Sequence, residues 1–89
     1  MCRNIKTLFN FEPPATEAEI RAASTQFVRK ITGFKSPSKA NQAAFDNSVR
    51  EITRSASVLL SSLTTAAPPR DREIEAARAH ARAVRRFGD

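Results

Sequence analysis

The sequence predicts an all-α domain. Apolar residues recur at spacings of three and four in the long stretches, and prolines and glycines fall between those stretches or at their ends. No stretch alternates apolar and polar residues with the period of two that a strand requires.

Ile5, Leu8 and Phe9 sit behind Asn4, a residue that caps helices, and predict a short N-terminal helix over residues 5–10. Pro13 and Pro14 then force an extended connection. Thr16 followed by Glu19 is a capping-box pattern, in which the hydroxyl and the carboxylate satisfy each other's backbone amides. It starts a helix over residues 16–31 with an apolar stripe of Ile20, Ala23, Phe27 and Ile31. Gly33 suits the left-handed position that stops it.

Residues 32–38 read as a loop, with Ser36 or Ser38 as the next cap and Pro37 at a first helical position. A second helix over residues 39–63 carries Phe45, Val49, Ile52, Ala56, Leu59 and Leu63, a heptad-like seam. The seam suits an internal core and a dimer interface equally, so the oligomeric state stays open. The short loop makes an antiparallel hairpin of these two helices the natural packing. Pro68 and Pro69 break the chain again. Asp71 caps a last helix over residues 72–87, whose stripe of Ile74, Ala77, Ala81, Val84 and Phe87 is expected to pack on the hairpin.

The 89 residues make one domain, 1–89. Apolar runs are too short to span a bilayer, and Arg3, Asn4 and Lys6 interrupt any leader near Met1, so a cytoplasmic protein without a membrane partner is expected. Cys2 is the sole cysteine and permits no internal disulfide. Catalysis has little to stand on: His80 is the only histidine and lacks an acidic neighbour in sequence. Neither a phosphate-cradling glycine loop nor a set of four zinc ligands is present, so no enzyme, cofactor or metal is expected.

Charge is more informative. Fifteen basic and nine acidic residues give +6. Between Ile20 and Phe45 stand Arg21, Arg29, Lys30, Lys35 and Lys39, without one acid. Arg29, Lys30, Lys35 and Lys39 gather at one end of the expected hairpin, around Phe34, and attract an acidic protein surface. The last helix, 71–87, carries Arg78, Arg82, Arg85 and Arg86, which suit phosphate and make nucleic acid the alternative partner. Tyr and Trp are absent, which leaves little for base stacking.

Residues 5–61 also resemble a J-domain, the helical co-chaperone module. Pro13, Ala15, Thr16, Glu19 and Ile20 match its Pro-x-Ala-Thr-x-x-Glu-Ile pattern, and Ala23, Phe27, Arg29, Lys30 and Ile31 match the helix that follows. Lys35 and Pro37 match its Lys-x-Pro, and Phe45, Ile52, Val58 and Leu59 resemble its next helix. Thr32-Gly33-Phe34 stands where the family has His-Pro-Asp, and Asn10 stands where Gly is usual. The resemblance therefore implies a J-like scaffold that does not stimulate a chaperone ATPase, with Arg29, Lys30, Phe34, Lys35 and Lys39 as the contact surface. Over its full length the chain also resembles a family of small bacterial proteins of unknown function.

Overall fold

The computed structural model describes residues 5–87, with side chains through Ala83. Its elements are a two-residue strand β1 (Phe11–Glu12), helix α1 (Glu17–Thr32), a 3-10 turn (Lys39–Asn41), helix α2 (Gln42–Ser62), a second two-residue strand β2 (Arg70–Asp71) and helix α3 (Arg72–Phe87). The described residues are thus mostly helical, with one small addition that the sequence pattern does not carry: β1 and β2 pair in parallel, Phe11 opposite Arg70 and Glu12 opposite Asp71.

The N-terminal helix expected over residues 5–10 does not form. Residues 5–8 have no regular structure, and Asn10 adopts a left-handed backbone with φ 65°. A one- or two-turn helix is marginal in isolation, and the segment gains more in extended form. Leu8 and Phe9 become half-buried, and with Pro14 and Ala15 they wall a hollow whose other side is Ile20, Arg21, Thr53, Ser57 and Val58. Asn10 anchors the segment: its side-chain amide donates to the Pro68 carbonyl at 3.1 Å, and its own carbonyl accepts from the Arg70 amide at 2.8 Å.

Helix α1 begins as the capping box requires. The Glu19 amide donates to the Thr16 hydroxyl at 3.2 Å, and the Thr16 amide donates to Glu19 Oε1 at 2.9 Å. Its buried face, however, is Ile20, Ser24 and Val28. Of the expected stripe, Ala23 is half-buried, and Phe27 and Ile31 are 45 % and 67 % exposed. The rotation follows from what meets α2, whose buried residues are Val49 and Thr53. Ser24 and Thr53 are small, and each hydroxyl is satisfied within its own helix. Ser24 Oγ donates to the Ile20 carbonyl at 2.9 Å, and Thr53 Oγ1 donates to the Val49 carbonyl at 2.7 Å. Burying them costs no orphaned donor, and their size lets α1 and α2 pack on one another closely.

Helix α2 begins at Gln42, three residues later than expected, because the chain first makes the 3-10 turn. Pro37 lies ahead of that turn, not at a first helical position. Along the seam Phe45, Ile52 and Ala56 are half-buried, and Leu59 and Leu63 are 55 % and 43 % exposed.

Helix α3 is capped by Asp71, whose Oδ1 accepts from the Ile74 amide at 3.0 Å. It does not lay its apolar stripe on α1 and α2. Glu75, Ala76, Ala79 and Arg82 face the body of the protein, lining a hollow with Lys6, Leu8, Phe11 and Glu19. At 100° per residue the opposite side holds Ile74, Ala77 and Ala81, all of them exposed. The rotation is set at the first residue of the helix, where Arg72 is held by α1. Val84 and Phe87 lie beyond the described side chains.

Candidate functional site

The basic end of the molecule is built by the stop of α1. Gly33 takes the left-handed conformation, φ 77°, and its amide donates to the Arg29 carbonyl at 2.8 Å. Thr32 Oγ1 donates to the Val28 carbonyl at 2.7 Å and accepts from the Phe34 amide at 3.2 Å. The backbone of Phe34 is therefore pinned to the end of the helix, while the residue as a whole is 37 % exposed. Arg29 and Lys30 occupy the last turn of α1, where cations favour the helix dipole. Lys35 lies in the connection and Lys39 opens the 3-10 turn.

Arg29, Lys30, Lys35 and Lys39 are all exposed. Ion pairs among the described residues join Arg21 to Glu17, Arg72 to Glu19 and Arg78 to Glu75, so none engages these four cations. Ile31, beside Lys30, adds an exposed apolar side chain. Chemically, this end offers exposed positive charge beside exposed apolar side chains, and such charge attracts anionic groups.

The second set of arginines is differently placed. Arg78 is committed to Glu75, 3.1 Å away on the same helix. Arg82 is exposed and shares the α3-side hollow of about 660 Å³ with Lys6, Arg70 and Arg72, but also with Glu19 and Glu75. The side chains of Arg85 and Arg86 lie outside the described residues, as does Cys2. His80 is exposed on α3. Among the described residues no three His, Cys, Asp or Glu side chains come together as metal ligands.

A cluster absent from the sequence expectations joins the two ends of the chain. Arg72 donates to Glu19 through both terminal nitrogens, at 2.8 and 2.7 Å, and through Nε to the Pro13 carbonyl at 2.7 Å. The guanidinium groups of Arg70 and Arg72 lie 5.7 and 6.0 Å from the centre of the Phe11 ring, within cation–π range. The hydrogen bonds from Arg72, with that from the Thr16 amide, hold the Glu19 carboxyl well below its ordinary 4.5, at about 2. Glu19 thus serves two elements at once: it closes the capping box of α1 and fixes α3. The local signal at Glu19 was visible in the sequence. Its partner 53 residues away was not.

These features define a small, mostly helical protein with a two-helix core, a third helix tethered by a bidentate ion pair, and a basic, partly apolar end. No helix among the described residues is long and apolar enough to cross a membrane. Residues 1–78 match the family described as an uncharacterized conserved protein (DUF2277), and the chain belongs to that family. No curated protein matches the chain, and no solved structure does.

Proposed function

We infer that the protein is a non-catalytic interaction module that docks an acidic protein surface through the connection between α1 and α2. Arg29, Lys30, Phe34, Lys35 and Lys39 form the contact. One observation carries this reading. The four cations lie within about five positions of Phe34 in the sequence, are exposed and are free of ion pairs among the described residues, and the Phe34 backbone is fixed in place. A positioned apolar anchor ringed by unengaged charge gives both affinity and orientation to an encounter.

The scaffold is J-domain-like in this reading, an antiparallel pair of helices whose connection lacks the His-Pro-Asp tripeptide. The contact of α1 with α2 across a nine-residue link, 33–41, supports it. So does the sharing of one hollow by Ile20 and Arg21, early in α1, with Thr53 and Ser57, late in α2. Asn10 departs from a usual glycine, but it takes the left-handed conformation that glycine adopts without strain. Thr32-Gly33-Phe34 supplies a helix stop and an anchor, and holds no imidazole or carboxylate. The module therefore binds without stimulating an ATPase.

The test is capture of partners by the purified protein at low salt after nuclease treatment, beside the doubly charge-reversed variant Lys30→Glu, Lys35→Glu. The wild type retains a protein partner, and the variant loses it at an unchanged melting temperature. Equal capture by both removes the reading. Nucleic acid as the sole bound species, released by salt, would transfer the function to the surface of Arg82 and Arg78.

A further inference from the structure

We propose that two copies of this chain pair through the face of α1 and α2 that carries Phe27, Ile31, Leu59 and Leu63, forming a four-helix bundle.

The chain exposes 7123 Å², whereas a compact monomer of 9.8 kDa exposes about 5,200 Å². Its radius of gyration is 15.7 Å, against about 12 Å for a compact domain of this length. The excess of roughly 2,000 Å² per chain is what each subunit of an obligate dimer commonly buries. Among the described residues the buried apolar side chains are Ile20, Val28 and Val49, a thin core for independent stability.

The exposed apolar area is unevenly placed. One side of the α1–α2 pair is covered by the N-terminal segment: Arg21 of α1 and Arg54, Ser57 and Ser61 of α2 share a hollow with Leu8, Phe9 and Pro14. Turning about each helix axis away from that side, at 100° per residue, leads on α1 to Phe27 and Ile31, whereas Ala23 shares a hollow with Lys6 and Leu8. On α2 it leads to Phe45, Ile52, Leu59 and Leu63. They fall on one face and include most of the large exposed apolar residues of the two helices; Val58 and Leu60 lie instead on the side of the N-terminal segment. Among the described residues nothing packs over Phe27, Ile31, Leu59 and Leu63, which stay exposed, while α3 is held at Glu19 by Arg72.

Phe45, Ile52 and Leu59 recur every seven residues, as do Val49, Ala56 and Leu63, and Ser48, Ser55 and Ser62 flank them at the same interval. A seven-residue repeat of apolar and small residues is the pattern by which helices pack side by side at shallow angles. The centre of the face carries no charge. The +6 of each copy therefore stays on its outer surfaces, and two copies meet without opposing charges at the contact. A self-complementary face closes by a two-fold axis.

Sedimentation equilibrium over about 1–100 μM tests this. The wild type is expected at twice 9.8 kDa, with a dimer that holds or tightens between 50 and 500 mM salt as the repulsion between like-charged copies is screened. Ile31→Glu and Leu59→Glu replace side chains that are more than half exposed within one chain. Each variant keeps its helical circular dichroism and becomes monomeric. Ala22→Glu, on the far side of α1, remains dimeric. A wild type that is monomeric throughout, a dimer that dissociates on adding salt, or folded Ile31→Glu and Leu59→Glu variants that still dimerise would each overturn the proposal. Because the functional reading predicts the opposite salt dependence and uses Lys30 and Lys35, either can fail without the other.

Discussion

Glu19 and Arg72, 53 residues apart in the chain, meet in a bidentate ion pair with both N–O distances under 2.9 Å. The pair is about a quarter to a third exposed, so water screens it in part. Its geometry, with parallel hydrogen bonds into both carboxylate oxygens, is the strong form of the interaction. Around it the parallel bridge, the Asn10 contacts and the Phe11 ring hold the N-terminal segment, α1 and the start of α3 together.

The pair makes the attachment of α3 pH-dependent, with a defined sign. The Glu19 carboxyl is held at about 2 in the folded protein, below its ordinary 4.5. The unfolded chain therefore takes up the proton first as pH falls. The stabilisation is complete above 4.5 and is lost progressively as pH falls toward about 2. Thermal melts of the wild type between pH 6 and 2.5 should show a fall in Tm that is shallower in Arg72→Met, which keeps the apolar stem and removes the charge. Parallel pH profiles would refute the assignment. Limited proteolysis in the 63–69 connection should also speed up in Arg72→Met at neutral pH.

The Gly33 conformation gives a second expectation. At φ 77° a side chain meets no neighbouring atom within 4 Å, so substitution costs backbone strain and nothing else. Gly33→Ala should destabilise by about 1 kcal/mol, a Tm drop of ~4–8 °C in a domain of this size. Gly33→Asn should cost less, since Asn tolerates the left-handed region. Equal losses for the two variants would mean that something other than φ governs the site.

The same local chemistry shows what the sequence made legible. The Thr16–Glu19 box, the Gly33 stop and the Asp71 cap depend on residues within three or four positions of one another, and all three are found where expected. Three features depend on distant partners. The two-residue strands are too short to carry a period. The charges of Arg72 and Glu19 look like those of any solvated helix start. The buried face of α1 is turned because Ser24 and Thr53 are buried, and hydropathy assigns such residues to the surface. The N-terminal helix fails for a related reason, since Leu8 and Phe9 are held by α1 and α2 rather than by each other. At the basic end, exposure was readable from charge. The pinning of Phe34 by the Thr32 hydroxyl was not.

Thr53 supports a counter-intuitive prediction. Its hydroxyl is buried, and its one hydrogen bond is to the Val49 carbonyl, which α-helical geometry already supplies with the amide four residues on. Thr53→Val removes a polar group and leaves no acceptor unsatisfied. Urea melts should place it between neutral and about 1 kcal/mol more stable than wild type. Val49→Ala, at a site 6 % exposed, should cost roughly 2 kcal/mol. A Thr53→Val loss as large as that of Val49→Ala would show that the hydroxyl has a partner outside its own helix.

Phe34 separates a binding role from a structural one at the basic end. Its backbone is held by the hydrogen bond from its amide to Thr32 Oγ1 and by the Gly33 cap before it. The ring is not among the buried residues. If the ring serves recognition, Phe34→Ala leaves the backbone bonds in place, shifts stability by no more than about 0.5 kcal/mol, as at other surface positions, and weakens partner binding at least tenfold, the loss of an anchor worth more than about 1.4 kcal/mol. If the ring instead folds under the connection to seal the end of the α1–α2 pair, the same variant lowers Tm and leaves binding per folded molecule unchanged. Paired melts and binding isotherms on this one variant decide between the two, and the second result would remove Phe34 from the contact while leaving the four cations to be judged on their own.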